Sequence, residues 1–162
     1  MKPDIDYSAL REATVADLPA VNATIEAAVM SWQLPERVKR LALSSYRYDQ
    51  VDLQHLTVVV LEHAEQVIAV AGWEPADRTD TPEQQGGLLL HGLYVRPDYQ
   101  QQGIGRHLLH IAAQAAREGG YAGLLVKAQH DAEPFFMACG LQKLPVLDNT
   151  RHYEHRYWLS LA

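Results

Sequence analysis

The chain has 162 residues, of which 48% are hydrophobic and 21% charged, with a formal net charge of −6. This length suits one domain, residues 1–162, around a single continuous core, and no apolar run approaches the roughly 20 residues that span a bilayer. The acidic balance argues against nucleic acid, which asks for a basic stripe, and against no small cationic partner. Met1-Lys2-Pro3-Asp4-Ile5-Asp6 lacks the apolar segment of a signal peptide, and the one cysteine, Cys139, offers no internal disulfide, so a cytoplasmic setting and no membrane association are expected.

Leu10 to Ala13 reads as a short strand, and Thr14 follows it as a helix N-cap with Asp17 three residues on. Leu18, Val21, Ile25, Ala28 and Val29 then form an amphipathic stripe up to Trp32. A second helix is predicted from Pro35, which a first turn tolerates, with Val38, Leu41, Ala42 and Ser45 on its inner face. Leu56 to Leu61 and Val67 to Trp73 read as a hairpin around His63-Ala64-Glu65-Gln66. Ala76 to Gly87 is polar, with two prolines, and is expected to be a mobile surface loop.

Leu88 to Val95 is apolar enough for a buried strand, and Arg96-Pro97-Asp98 stops it, because proline cannot donate to a ladder. Ile104, Leu108, Ile111 or Ala112, and Ala115 then recur at helical spacing, ending at Gly119-Gly120. Leu124 to Ala128 reads as a further strand, Ala132 to Cys139 as a short helix, and Leu141 to Leu147 and Tyr153 to Leu161 as two last strands around Asp148-Asn149. The order predicts an α/β fold with a mixed sheet of about six to seven strands and about four helices on its two faces.

Between the central strand and its helix lies Gln100-Gln101-Gln102-Gly103-Ile104-Gly105-Arg106. Helix N-termini carry unpaired N–H groups and the positive end of the macrodipole, and glycine lets an anion approach them closely, so this loop reads as a phosphate cradle. It is not a dinucleotide fingerprint, since Leu108 stands where the third glycine belongs, nor a P-loop, since no Gly-Lys-Ser/Thr follows. Gln-x-x-Gly-x-Gly after a strand ending in Tyr94-Val95-x-Pro97 resembles the acyl-CoA pyrophosphate loop of the GNAT superfamily of N-acyltransferases. The element order is similar to that fold over nearly the whole chain.

The resemblance implies that backbone N–H groups of Gln101, Gln102, Gly103, Ile104, Gly105 and Arg106, with Gln100 opening the loop, hold the pyrophosphate of acetyl-CoA. Leu93, Tyr94 and Val95 would pair with its pantetheine arm. A second signature covers Gln129 to Leu141, with Ala132, Phe135-Phe136 and Gly140-Leu141 in the family's positions. Gln129 stands for the usual asparagine and keeps an amide for pantetheine. Phe136 stands for the tyrosine that protonates the leaving thiolate in many members, and a phenyl ring has no proton to give.

His91 is the general-base candidate. On a strand it shares a face with Leu93 and Val95, imidazole titrates near neutrality, and the position is similar to that of a histidine in arylalkylamine N-acetyltransferases. A histidine hydrogen-bonded within the sheet is the other reading. Trp32 and Trp73, with Tyr46, are candidates for the acceptor pocket or for the core. Cys139 has no histidine partner in sequence, which sets it aside as a nucleophile. The pairs His107/His110 and His152/His155 have i,i+3 spacing without further ligands of a zinc motif, so no metal is expected.

The resulting expectation is an acyl-CoA-dependent acetyltransferase that moves acetyl directly to a primary amine of a small molecule. One rival acts on a protein lysine or N-terminus; the other, suggested by Phe136, binds acyl-CoA without turnover. A homodimer is left open.

Overall fold

The computed structural model describes residues 4–161; Met1, Lys2 and Pro3 of the leader reading and Ala162 lie outside the described residues. The elements are β1 (Arg11–Glu12), α1 (Leu18–Met30), α2 (Glu36–Tyr46), α3 (Gln50–His55), β2 (Thr57–His63), β3 (Gln66–Pro75), β4 (Gly87–Val95), α4 (Ile104–Glu118), β5 (Gly123–Lys127), α5 (Glu133–Ala138), β6 (Gln142–Lys143) and β7 (Arg156–Ser160). The strands form one sheet in the order β1-β2-β3-β4-β5-β7-β6. β4 and β5 are parallel, whereas β1/β2, β5/β7 and β6/β7 are antiparallel, so the sheet is mixed as expected. No helix among the described residues is long and apolar enough to cross a membrane.

The chain divides into two compact units, one formed by the chain up to Gly72 with Gly92–Leu108, the other by Trp73–His91 with the chain from Leu109. In the first, Val21, Ile25, Ala28 and Val29 of α1 are at most 2% exposed and pack in one cluster with Val58, Val60, Val67, Val70 and Tyr94. The predicted stripe of α1 is therefore the buried one. Its entry is fixed by Asp17, whose carboxylate accepts from the Thr14 N–H at 2.7 Å and takes a two-pronged grip from Arg11 at 2.8 and 2.9 Å. Arg11 also reaches Glu62 at 2.6 Å.

α2 forms where predicted, but rotated. Its buried residue is Leu43, flanked by half-buried Lys39, Ala42 and Tyr46, whereas Val38 and Leu41 are 46% and 68% exposed. α3 was not anticipated: six residues with one polar-rich turn carry too little periodicity, and the helix rests on a capping box between Asp49 and Asp52. The β2–β3 hairpin turns at Ala64 and Glu65, both with positive φ, as a tight hairpin requires.

In the second unit the indole of Trp158 lies over Gly87 and Gly123, which face each other at the start of the β4/β5 ladder. A Cβ at Gly123 would stand 2.2 Å from that ring and one at Gly87 2.8 Å, so both positions exclude side chains. The Ala76 to Gly87 segment is tied down by side chains rather than forming a bare surface loop. Arg156, 2% exposed, donates to the carbonyls of Asp80, Pro145 and Tyr153, at 2.6, 2.9 and 3.1 Å. Asp80 in turn pairs with Lys127 at 3.1 Å, and Thr81 donates to the Gln85 carbonyl at 2.6 Å. The last two strands are shorter than predicted, because Pro145 cannot donate to a ladder and its carbonyl serves Arg156 instead.

Candidate functional site

The best-formed candidate is the junction from β4 to α4. Arg96 closes β4 by donating its N–H to the Ile68 carbonyl at 2.9 Å and its Nε–H to that of Val67 at 2.8 Å. A single 3₁₀ turn at Pro97–Tyr99 follows, after which the Gln100 side-chain amide donates back to the Val95 carbonyl at 3.0 Å. The loop then takes two left-handed residues, Gln101 with φ 61° and Gly103 with φ 87°.

A Cβ built on Gly103 meets no atom within 4 Å, so the space above this residue is open to an incoming group. The first helical bond of α4 runs from the His107 N–H to the Gly103 carbonyl at 3.0 Å. By helix geometry the N–H groups of Ile104, Gly105 and Arg106 therefore have no intrahelical acceptor. Ile104, 1% exposed, and Leu108, 0% exposed, fasten the first turns into the core. Gln102 donates its amide to the Asp98 carbonyl at 3.3 Å, while its Oε1 is buried without a protein partner. Tyr7 stacks on His107 with ring centroids 3.8 Å apart, which places His107 in packing rather than in a metal pair.

β4 alternates as its sequence predicts. Leu90, Gly92 and Tyr94 are buried, whereas Leu93 and Val95 are half-buried and His91 is exposed on the same side as they are. Tyr94 belongs to the core cluster, and burial foremost, then Tyr48 and Tyr46, pushes its phenol far above the ordinary value, so it stays protonated. Any contact of Tyr94 with a donor would be through its backbone.

Around Tyr94 the structure assembles aromatic rings of which the sequence grouped only Trp32 and Tyr46. Trp32 meets Tyr46 edge-on at 5.6 Å, and Tyr46 meets Tyr94 at 6.2 Å. Tyr48, 4% exposed, holds its hydroxyl 2.8 and 2.7 Å from where Cβ atoms of Gly72 and Gly92 would stand. Asn22 of α1 fixes it by a reciprocal pair with the Tyr48 backbone, each bond 2.9 Å. No local signal marks Tyr48 or Asn22, since their partners lie far away in sequence.

In the second unit Trp73 is 7% exposed. Gln129 is half-buried and caps a 3₁₀ turn, His130–Ala132, that leads into α5. Phe136 is 6% exposed and stacks on Tyr157 with centroids 6.1 Å apart. The Tyr157 hydroxyl donates to Glu133 at 2.9 Å, and burial, then that bond, pushes its pKa up to about 12. Tyr157 thus keeps its proton on Glu133. His152 accepts from the N–H groups of Leu147 and Asp148 at Nδ1 and donates from Nε2 to the Thr79 carbonyl at 2.9 Å, a loop-pinning role separate from His155.

A strand, a proline stop, an open glycine and a 15-residue helix start match more than geometry. The model of the acetyltransferase (GNAT) family matches residues 25–141. The chain belongs to the GNAT acetyltransferase family.

As a GNAT acetyltransferase, the chain has its fold in common with several solved structures. Over 98% of this chain and 99% of the other it is similar to the PaiA N-acetyltransferase of Thermoplasma acidophilum in complex with coenzyme A, with a TM-score of 0.73 at 13% identity. A GNAT acetyltransferase of Brucella melitensis in complex with acetyl-CoA is similar over 94% of this chain and 87% of that one, with a TM-score of 0.63 at 17% identity. A ribosomal-protein-alanine N-acetyltransferase from the same organism is similar over 94% and 99%, with a TM-score of 0.62 at 21% identity. No curated protein matches at a significant level.

Proposed function

We propose that this GNAT acetyltransferase, acting as a single domain in a cytoplasmic setting, transfers acetyl from acetyl-CoA directly to a primary amine of a small molecule. The observation that carries this reading is the open, left-handed Gly103 at the head of α4. Three successive N–H groups and the positive end of a helix macrodipole converge there, which is where a pyrophosphate gains most from backbone donors. Leu93 and Val95 offer strand backbone to an extended pantetheine arm, and Gln129 an amide.

The chemistry needs one bond formed and one broken. The amine nitrogen attacks the thioester carbon, His91 takes the proton that the attacking nitrogen sheds, and the C–S bond breaks to release the thiolate of coenzyme A. Phe136 cannot protonate that thiolate, and a coenzyme A thiol is acidic enough to leave with little help. Trp32 and Trp73 would border the acceptor.

The test is a thiol-release assay with acetyl-CoA against two panels, small primary amines and peptides with free N-termini or lysines. Release with small amines alone is expected. Release with peptides alone would move the assignment to a protein acetyltransferase. Release with neither, from protein that binds acetyl-CoA, would leave a binding module.

A further inference from the structure

The pairs His107/His110 and His152/His155 hold no common site, but the fold gathers a different set. His130, Glu133 and His155 each direct a ligand-type atom to within 4.8 Å of the other two. His130 sits in the 3₁₀ turn before α5, where residues three apart eclipse, so Glu133 stands directly beneath it. His155 arrives from the start of β7, with its carbonyl held by the Ala128 N–H at 3.0 Å. The two imidazole rings lie 5.4 Å apart.

Three features of this trio go beyond proximity. The Nδ1 of His155 is buried and has no hydrogen-bond partner, a costly state for a ring nitrogen unless something not yet present satisfies it. Its other nitrogen, Nε2, lies 3.3 Å from the Glu154 carboxylate, the arrangement by which metal-bound imidazoles are oriented. On Glu133, both Tyr157 and Lys143 engage the same oxygen, Oε2, so Oε1 is the one placed for a ligand.

We infer that His130, Glu133 and the Nδ1 of His155 form a site for a divalent first-row transition metal, with Zn²⁺ as its best representative. Two imidazoles and one carboxylate are the donors such an ion prefers, and three protein ligands leave a fourth position to water. A tetrahedral zinc spaces its ligand atoms by roughly 3.4 Å, so His130, the exposed member, swings inward as the ion binds. The ion would cross-link the head of α5 to the head of β7.

Zinc is titrated into the full chain after chelator treatment, in competition with a chromophoric chelator, and Co²⁺ absorption reports the coordination number. The expected result is one ion per chain, four-coordinate Co²⁺, and a higher melting temperature with Zn²⁺. His130→Ala, at an exposed position that leaves the fold intact, should weaken Zn²⁺ at least about tenfold, while His110→Ala, at an exposed position of α4, should not. Glu154→Gln should weaken it by about tenfold through the lost orientation of His155. No saturable uptake by the wild-type protein, or uptake that His130→Ala retains in full, would overturn the site.

Discussion

Gln100 donates its side-chain amide to the carbonyl of Val95 at 3.0 Å, so the first residue of the loop is fastened to the last residue of β4. The bond holds together the two parts assigned to the acyl donor, the strand end for pantetheine and the loop for pyrophosphate. A net hydrogen bond of this kind contributes about 1 kcal/mol. Gln100→Ala should therefore raise the Kd for acetyl-CoA by a few-fold to about tenfold and lower the melting temperature by no more than about 2–4 °C. An unaltered Kd would mean that the loop keeps its shape without this tie.

His91 separates catalysis from binding. His91→Ala should leave acetyl-CoA affinity nearly intact and lower turnover by roughly 10²-fold or more, the usual contribution of a placed general base. Wild-type turnover in His91→Ala would return His91 to the sheet.

Arg156 should be a stability residue without a direct part in chemistry. Its guanidinium satisfies three carbonyls from separate segments, and burial, partly offset by Asp80, lowers its pKa. Arg156→Leu leaves those carbonyls unsatisfied and should cost about 3 kcal/mol or more in denaturant unfolding. In the intact protein the amides of Asp80 and Thr81, bonded to the carbonyls of Asp77 and Arg78 beneath this clamp, should exchange slowly. Fast exchange at both would restore the mobile loop that the polar sequence suggested.

The strand–loop–helix junction was legible because its features are local: an apolar run, a proline, and glycine at the head of a helix. The inner face of α2 was legible only at Ala42, because Leu41 and Leu43 are the same residue type and only the packed structure decides which of them is covered. The Ala76 to Gly87 segment looked like a bare loop because its anchor, Arg156, stands far away in sequence. The same long-range placement hid the Tyr48 hydroxyl above Gly72 and Gly92 and the gathering of His155 with His130 and Glu133. The H-x-x-E spacing of His130 and Glu133 was the one local signal available for the last of these.

Asp17 makes the entry to α1 pH-dependent. Its hydrogen bonds to Arg11, ahead of the bonds from Thr14, hold its carboxyl well below the ordinary carboxylate value despite partial burial. A folded-state pKa that is depressed contributes stability above the unfolded value, about 3.9, and loses it as pH falls through the lower folded value. Asp17→Ala should cost about 1 kcal/mol at neutral pH, and the gap to wild type should close as the pH is taken well below 3.9. A gap that persists undiminished in acid would show that the contribution is packing alone.

The central claim is that the open glycine at the head of α4 cradles the acyl donor, and calorimetric titration of acetyl-CoA tests it most directly. The wild-type protein should bind one acetyl-CoA per chain. Gly103→Val fills the open space and places a β-branched residue at a φ of 87°, so it should bind at least about tenfold more weakly while still unfolding cooperatively. Equal affinity in the two proteins, or no binding by the wild type, would contradict the account.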